Sequence, residues 1–264
     1  MSEENSYKIR VLERAMRVID LLSEGVPMTL TEINKELDIS NTTIFRILKT
    51  LEAYNFVTFN QQSKQYRLGI KCLELSSAYY GGDNLRALAL SDLESLRDET
   101  GESVHLGILD KMEVIYIEKL QGLHAIGLMS SAVGRRSPAY CTGLGKALIA
   151  HEDHEKIRQY YETHKLKQFT TKTIKNVDEL IEELSIVRDR GYAFDLGEHE
   201  TDVYCVSTTI KDYQGEVVAA LSISGPKSRL QSIESDTSLI DSLRRTAITI
   251  SDKLRTQRFI GKFY

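Results

Sequence analysis

One stretch, from Met28 to Leu68, constrains the fold of this chain more than any other, because it combines two short amphipathic helix patterns with a hairpin pattern. Thr29 and Glu32 stand at capping-box spacing at the start of the first helix. A second helix is predicted to begin after Ser40 as its N-cap, since apolar residues then recur at the spacing of one helix face. Those apolar residues are Ile44, Ile47, Leu48 and Leu51.

The second predicted helix also has a polar face, which lies opposite its apolar stripe. Two segments rich in strand-forming residues, 56–59 and 64–68, follow it across a polar turn and predict a hairpin. Two such helices and a hairpin indicate a winged helix-turn-helix, whose second helix reads the major groove of DNA. The candidate DNA-binding residues are Thr42, Thr43, Arg46 and Lys49 on the second helix, and Lys64 and Arg67 on the hairpin.

The charge of this stretch differs from that of the whole chain. Ser40 to Lys71 holds five cations and one anion, Glu52, whereas the formal net charge of the chain is −4. A local basic patch in an acidic protein favours contact with phosphates. The alternative is an ordinary helical packing unit, since every surface helix has an apolar and a polar face.

Length and composition bound the remaining possibilities. The 264 residues suit two domains, and we expect a winged helix-turn-helix domain at 1–68, a linker helix at 69–83 and a second domain at 84–264. The absence of a signal peptide pattern and of a long apolar run predicts a cytoplasmic protein with no membrane partner. Cys72, Cys141 and Cys205 are too far apart in sequence to form a metal motif, so we expect reduced thiols, no metal and no cofactor.

The patterns outside the central stretch predict an α+β chain. Residues 9–22 read as a helix that supplies the third side of the DNA-binding core, with Val11, Leu12, Ala15, Val18, Ile19 and Leu22 directed inward. The second domain reads as a largely antiparallel sheet flanked by helices. Its predicted strands are 104–109, 113–120, 126–130, 192–195, 204–210 and 217–224, its predicted helices are 84–100, 142–150, 152–163, 177–190 and 239–254, and Arg135–Pro138 is predicted to be a loop.

A pair of glycines marks a candidate binding site in the second domain. Gly143 and Gly145 lie at a predicted helix start, where backbone N–H groups and the helix dipole favour an anion such as a small carboxylate. The alternative is that these glycines only permit tight helix packing. The spacing does not fit a phosphate-binding P-loop. The segment His151–His154 is more typical of a solvated helix start than of a metal site.

The order of these motifs resembles the IclR family of bacterial transcription regulators. The matching segments are Arg136–Pro138 through Gly145–Ala147, Gly191–Asp195 with Glu198 and Glu200, then Cys205, Gly215 and Ser222–Pro226. The resemblance implies a GAF-like effector domain and a dimerising DNA-binding domain, in homodimers or homotetramers on palindromic double-stranded operators. Carried over position by position, it implies effector-binding residues Ile126, Met129, Ser137, Gly143, Leu144, Asp195, Val203, Cys205, Ser222 and Ser224.

The chemistry of these residues fits a small acid. Backbone amides and the Ser222 and Ser224 hydroxyls can hold a carboxylate, and Asp195 can accept a hydrogen bond from a ligand hydroxyl. This favours a sugar acid or keto-deoxy sugar acid as effector, with a glyoxylate-like or pyruvate-like acid or an aromatic acid as alternatives. Asp202 stands where the family usually has glycine, which predicts an extra carboxylate near the pocket.

The leading hypothesis is therefore a repressor, not an enzyme, whose operator binding is relieved by a small carboxylate. The rival is a metabolic enzyme that binds a small molecule and uses its N-terminal helices only for dimerisation.

Overall fold

The computed structural model describes residues 8–80, 85–124 and 129–256. The chain divides into two compact units, residues 1–82 and residues 83–264. Among the helices of the described residues, none combines the length and the apolar character needed to cross a bilayer.

The first unit is a winged helix-turn-helix, as predicted. Its three strands form one antiparallel sheet in the order β1-β3-β2. The elements are α1 (Arg10–Leu22), β1 (Met28–Thr29), α2 (Leu30–Leu37), α3 (Asn41–Ala53), β2 (Val57–Asn60), β3 (Gln65–Leu68) and α4 (Ile70–Tyr80).

Two local features fix where α2 begins and ends. The capping box is present: the Glu32 amide donates to Thr29 Oγ1 (3.3 Å), and the Thr29 amide donates to the Glu32 carboxylate (2.7 Å). Asp38 adopts a left-handed conformation (φ 53°) that ends α2. Ser40 occupies the N-cap position of α3 as predicted, but its side chain makes no capping bond to the backbone. Its hydroxyl lies 2.9 Å from that of Thr43 instead.

The prediction that all the apolar residues of α1 point inward was wrong for its first turn. Val18 and Leu22 are buried in the core of this unit, whereas Val11 and Leu12 are 59% and 53% exposed. These two residues face a groove whose other side is α3, where both polar and apolar residues line it. Helix periodicity identifies the apolar face but not how far its packing partner extends.

The second unit is a six-stranded antiparallel sheet in the order β6-β5-β4-β9-β8-β7, with helices on both faces. The α+β class is as predicted. The elements are α5 (Leu85–Thr100), β4 (Ser103–Asp110), β5 (Glu113–Leu120), β6 (Arg136–Pro138), α6 (Gly143–Ile149), α7 (His154–Thr163), α8 (Val177–Arg190), β7 (Ala193–Leu196), β8 (Val203–Lys211), β9 (Val217–Pro226) and α9 (Thr237–Thr256).

Two strand predictions in this unit need correction. Arg136–Pro138 was predicted to be a loop, but it pairs with β5 as an edge strand, where proline is tolerated. Of the predicted strand at 126–130, residues 129–130 are not in a strand, and residues 126–128 lie outside the described residues.

Strand alternation divides the sheet into two chemically different faces. One face carries apolar side chains such as Leu106, Leu221 and Ile223, which pack with α5 and α9. The opposite face is mixed: Val114 and Ala220 pack with α6 to α8, whereas His105 and Ser222 lie beside each other in the β4–β9 register. The candidate site of this unit lies on this second face, beside its polar residues.

Candidate DNA-binding face and ligand cavity

The outward face of α3 holds three of the predicted DNA-binding residues. Thr42, Arg46 and Lys49 are exposed, opposite a buried stripe that packs into the core. Thr43 is half-buried and its hydroxyl interacts with that of Ser40, so it is less available than its neighbours. A helix that is anchored on one side and polar on the other has the form needed to enter a major groove.

Lys49 differs from Arg46 in its surroundings. Its ammonium group lies 2.8 Å from Glu52 and within 6 Å of the ring centroids of Phe45 and Phe59. The hydrogen bond to Glu52 raises the pKa of Lys49. Lys49 is therefore held beside an anion and two aromatic rings, which makes Arg46 the stronger candidate for a base contact.

The hairpin presents the other two predicted cations. Lys64 lies at the turn in a left-handed conformation (φ 57°), and Arg67 is exposed on β3. Within residues 8–80, neither of them nor Arg46 takes part in an ion pair. Their charges are thus available to phosphates.

A cavity lies on the second face of the larger sheet, beside the start of α6. Its volume is about 40 Å³, which is room for about three water molecules. Eight of the ten predicted effector-binding residues line it, although they come from distant parts of the chain. They are Met129, Gly143, Leu144, Asp195, Val203, Cys205, Ser222 and Ser224.

The other two predicted residues do not line the cavity. Ser137 is buried on β6, and its hydroxyl hydrogen-bonds to Tyr116, a cavity residue. Ile126 lies outside the described residues. Six lining residues are additions to the predicted set: His105, Tyr116, Ser131, Thr142, His199 and Glu200.

The start of α6 supports both interpretations of its glycines. The Thr142 hydroxyl accepts from the Gly145 amide (3.2 Å) as the N-cap. A β-carbon on Gly145 would lie 2.3 Å from the Ala139 carbonyl oxygen, so this glycine is required for packing. Gly143 and Leu144 border the cavity, and no protein acceptor for their amides is found in the described part of the chain.

His105 connects both sides of the cavity. Its Nε2 lies 3.0 Å from the Ser131 hydroxyl, and its Nδ1 lies 3.3 Å and 3.4 Å from the hydroxyls of Ser222 and Ser224. Burial lowers the pKa of His105 to about 3, so the imidazole is neutral near pH 7. A neutral imidazole donates one hydrogen bond and accepts one, which orders the serine hydroxyls beside it.

Asp195 is buried, and one of its oxygens is already engaged. Oδ1 accepts from the amides of Gly197 (3.1 Å) and Glu198 (2.7 Å). Burial, together with the nearby charge of Glu198, raises the pKa of Asp195 to about 7. Glu198 in turn forms a buried ion pair with Lys146 of α6.

The extra carboxylate predicted from Asp202 is not at the cavity. Asp202 is exposed and is not a lining residue. The carboxylates that do line the cavity belong to Asp195 and Glu200, and Glu200 accepts hydrogen bonds from the amide and the hydroxyl of Ser130 (3.2 Å and 2.6 Å).

Comparison with known families identifies both units. Residues 11–61 match the IclR helix-turn-helix domain, and residues 77–252 match the C-terminal domain of the bacterial transcriptional regulator IclR. The chain belongs to the IclR family of bacterial transcriptional regulators. It therefore carries a DNA-binding helix-turn-helix domain and acts in transcription regulation.

Individual IclR-family proteins support this assignment. The HTH-type transcriptional regulator XynR of Escherichia coli K12 is 35% identical, over 86% of this chain and 90% of XynR. The HTH-type transcriptional regulator KdgR of Dickeya chrysanthemi is 31% identical, over 90% of this chain and 77% of KdgR. The crystal structure of an IclR transcriptional regulator from Alicyclobacillus acidocaldarius has a TM-score of 0.79 at 29% identity, covering 94% of this chain and 99% of that one. These relatives are named as regulators and not as enzymes, which argues against the rival hypothesis.

Proposed function

We propose that this IclR-family protein is a repressor whose operator binding is weakened by a small carboxylic acid. The observation that carries the proposal is the cavity on the sheet, because eight residues inferred from motifs far apart in sequence meet around it. The proposed parts are a DNA-binding domain at 1–68, a linker helix at 69–83 and an effector domain at 84–264. The proposed assembly is a homodimer or homotetramer on a palindromic operator.

The DNA half of the proposal rests on α3 and the hairpin. Thr42 and Arg46 lie on the exposed face of α3, where they can reach base edges in the major groove. Lys64 and Arg67 lie on the hairpin, where their charges suit phosphate contacts.

The choice of a carboxylic acid rests on the donors around the cavity. Ser222 and Ser224 of β9 and Gly143 and Leu144 of α6 line it, which brings two hydroxyls and two backbone amides to the cavity. Each can donate to a carboxylate oxygen, and His105 orders the two hydroxyls. The cavity, at about 40 Å³, holds an acid the size of glyoxylate as it stands, and a sugar acid requires it to widen.

Within this class we favour a hydroxylated acid. Ser131, Thr142 and Tyr116 add hydroxyl groups to the lining, which suits a ligand with hydroxyls of its own better than a purely apolar acid. Sugar acids and keto-deoxy sugar acids have this chemistry. Glyoxylate and pyruvate are the smaller alternatives, and an aromatic acid is the third.

Effector and operator binding are linked through the dimer. An effector can release the operator only to the extent that it binds more tightly to the arrangement that does not bind DNA. Tight binding with no such preference would leave transcription unchanged.

The effector class can be tested by calorimetric titration of the full chain. The panel is D-gluconate, D-galacturonate, pyruvate, glyoxylate and 4-hydroxybenzoate, with glucose as the uncharged control. We expect binding of at least one hydroxylated or keto acid and none of glucose. Preference for the aromatic acid would contradict the hydroxylated-acid assignment, and binding of glucose alone would contradict the carboxylate class.

A further inference from the structure

The charged groups that line the cavity are acidic, although the ligand proposed for it is an anion. Its lining contains two carboxyl groups, Asp195 and Glu200, and neither lysine nor arginine is among the lining residues that the structure describes. A carboxylate effector would thus enter a small buried space that already holds acidic groups. Burying like charges together is costly unless one of them is neutralised.

The other titratable groups around Asp195 do not supply a compensating positive charge. Burial lowers the pKa values of His105 and His199, which favours neutral imidazoles, and raises those of Cys141, Cys205 and Tyr116, which keeps these groups neutral. The nearest buried cation is Lys146 on α6, and it is engaged by Glu198 and lies 3.7 Å from Glu183. Lys119 on β5 is not a lining residue; its ammonium donates to the backbone carbonyls of Met129 and Ser131, and the carboxylate that it interacts with is that of Glu200.

Asp195 is the group placed to take up a proton. Its Oδ1 accepts two backbone hydrogen bonds, while no partner for its Oδ2 is found in the described part of the chain. A proton on Oδ2 would leave both backbone bonds intact. It would also turn that oxygen from an acceptor, which repels a carboxylate, into a donor.

We propose that Asp195 binds the effector carboxylate as the neutral acid, so that effector binding takes up a proton from solution. This rests on the proposed carboxylate effector and reverses the role first expected of Asp195, which was to accept from a ligand hydroxyl. The proton comes from water or buffer and no covalent bond to the ligand forms. The cavity therefore selects monoanionic acids, because a second negative charge would have no compensating proton.

The sign of the pH dependence follows from the linkage. The empty site has an Asp195 pKa of about 7, and a bound anion raises it further. Binding is therefore tightest below pH 7. Above pH 7 the dissociation constant is expected to rise roughly tenfold per pH unit, until the pH reaches the pKa of the bound state.

The test uses calorimetry of the full chain with D-gluconate and with glyoxylate, between pH 6 and pH 8.5. At each pH, two buffers with different ionisation enthalpies report the number of protons taken up. We expect uptake approaching about one proton per ligand at pH 8. In Asp195→Asn, the amide replaces the protonated acid as a donor, so binding of the acids should persist without proton uptake and without the pH slope.

Asp212→Asn is the matched control. Asp212 Oδ1 also accepts from two backbone amides, those of Gln214 and Glu216, but at the β8–β9 turn and away from the cavity. This variant should keep the pH slope of the wild type. Acid binding with a flat pH profile in the wild type, or proton uptake that persists in Asp195→Asn, would overturn this inference and leave the effector class standing. Failure of the wild type and of Asp195→Asn to bind any acid would overturn both.

Discussion

Replacing Lys146 by methionine should destabilise the effector domain strongly. Lys146 is 2% exposed and forms an ion pair with Glu198, which is 8% exposed. Glu183 has a second partner in Arg190 (3.1 Å), but within the described residues Glu198 has no other ion-pair partner. Removing one member of a buried pair leaves a buried charge without compensation, which costs about 3–5 kcal/mol. With a urea m-value of about 2 kcal/mol/M, the midpoint should fall by about 1.5–2.5 M.

The stability of Lys146→Met should also depend on pH. Burial already raises the pKa of Glu198, and loss of Lys146 raises it further. A carboxyl whose folded-state pKa exceeds its unfolded value stabilises the fold below the unfolded pKa, and this stability is lost as the pH rises through the folded pKa. Lys146→Met should therefore be relatively more stable at pH 5 than at pH 8.

The assay is urea unfolding followed by circular dichroism, with the two units analysed as separate transitions. Lys156→Met is the control, because Lys156 forms an exposed i,i+4 pair with Glu152 and its loss should cost less than about 1 kcal/mol. Equal midpoints for Lys146→Met and Lys156→Met at pH 8 would refute the reasoning about the buried pair.

Three further predictions concern DNA and effector binding. Arg46→Ala should weaken specific operator binding by about 1–3 kcal/mol, and Thr42→Ala should weaken it in the same direction, because both lie on the outward face of α3; a footprint equal to that of the wild type would remove α3 from the groove. Lys64→Ala should weaken binding to operator and random DNA alike and reduce the salt slope by about one unit; a loss confined to one base position would show that the hairpin reads sequence. The double variant Ser222→Ala, Ser224→Ala should bind acids at least tenfold more weakly by calorimetry, since two donors are lost; unchanged affinity would place the carboxylate elsewhere.

The spacing of apolar residues predicted most helices and strands of both units. The buried stripe of α3, the hairpin and the longer strands of the larger sheet could be predicted from the spacing of their apolar residues. The first turn of α1 could not, since Val11 and Leu12 keep the helical spacing beside a groove that leaves them exposed. The strand at Arg136–Pro138 is too short to display alternation.

Most of the residues that line the cavity were predicted, but their protonation states were not. Family motifs supplied eight lining residues, including Asp195, whereas His105 could be assigned only to the face of β4 opposite Leu106. Which face carries the cavity depends on where α6 packs, and this is not a local property of the sequence. The protonation of Asp195 depends on burial and on the approach of Glu198, so only the folded chain reveals it.

The most direct test of the account is operator release by an acid identified by calorimetry. Fluorescence anisotropy of a labelled promoter fragment would be followed at moderate salt while that acid is added to the full chain, with glucose as the control. We predict that the acid releases the operator from the wild type, and that it does so less effectively from the double variant Ser222→Ala, Ser224→Ala. An acid that binds the chain but leaves operator affinity unchanged, or that releases both proteins equally, would contradict the claim that the cavity controls DNA binding.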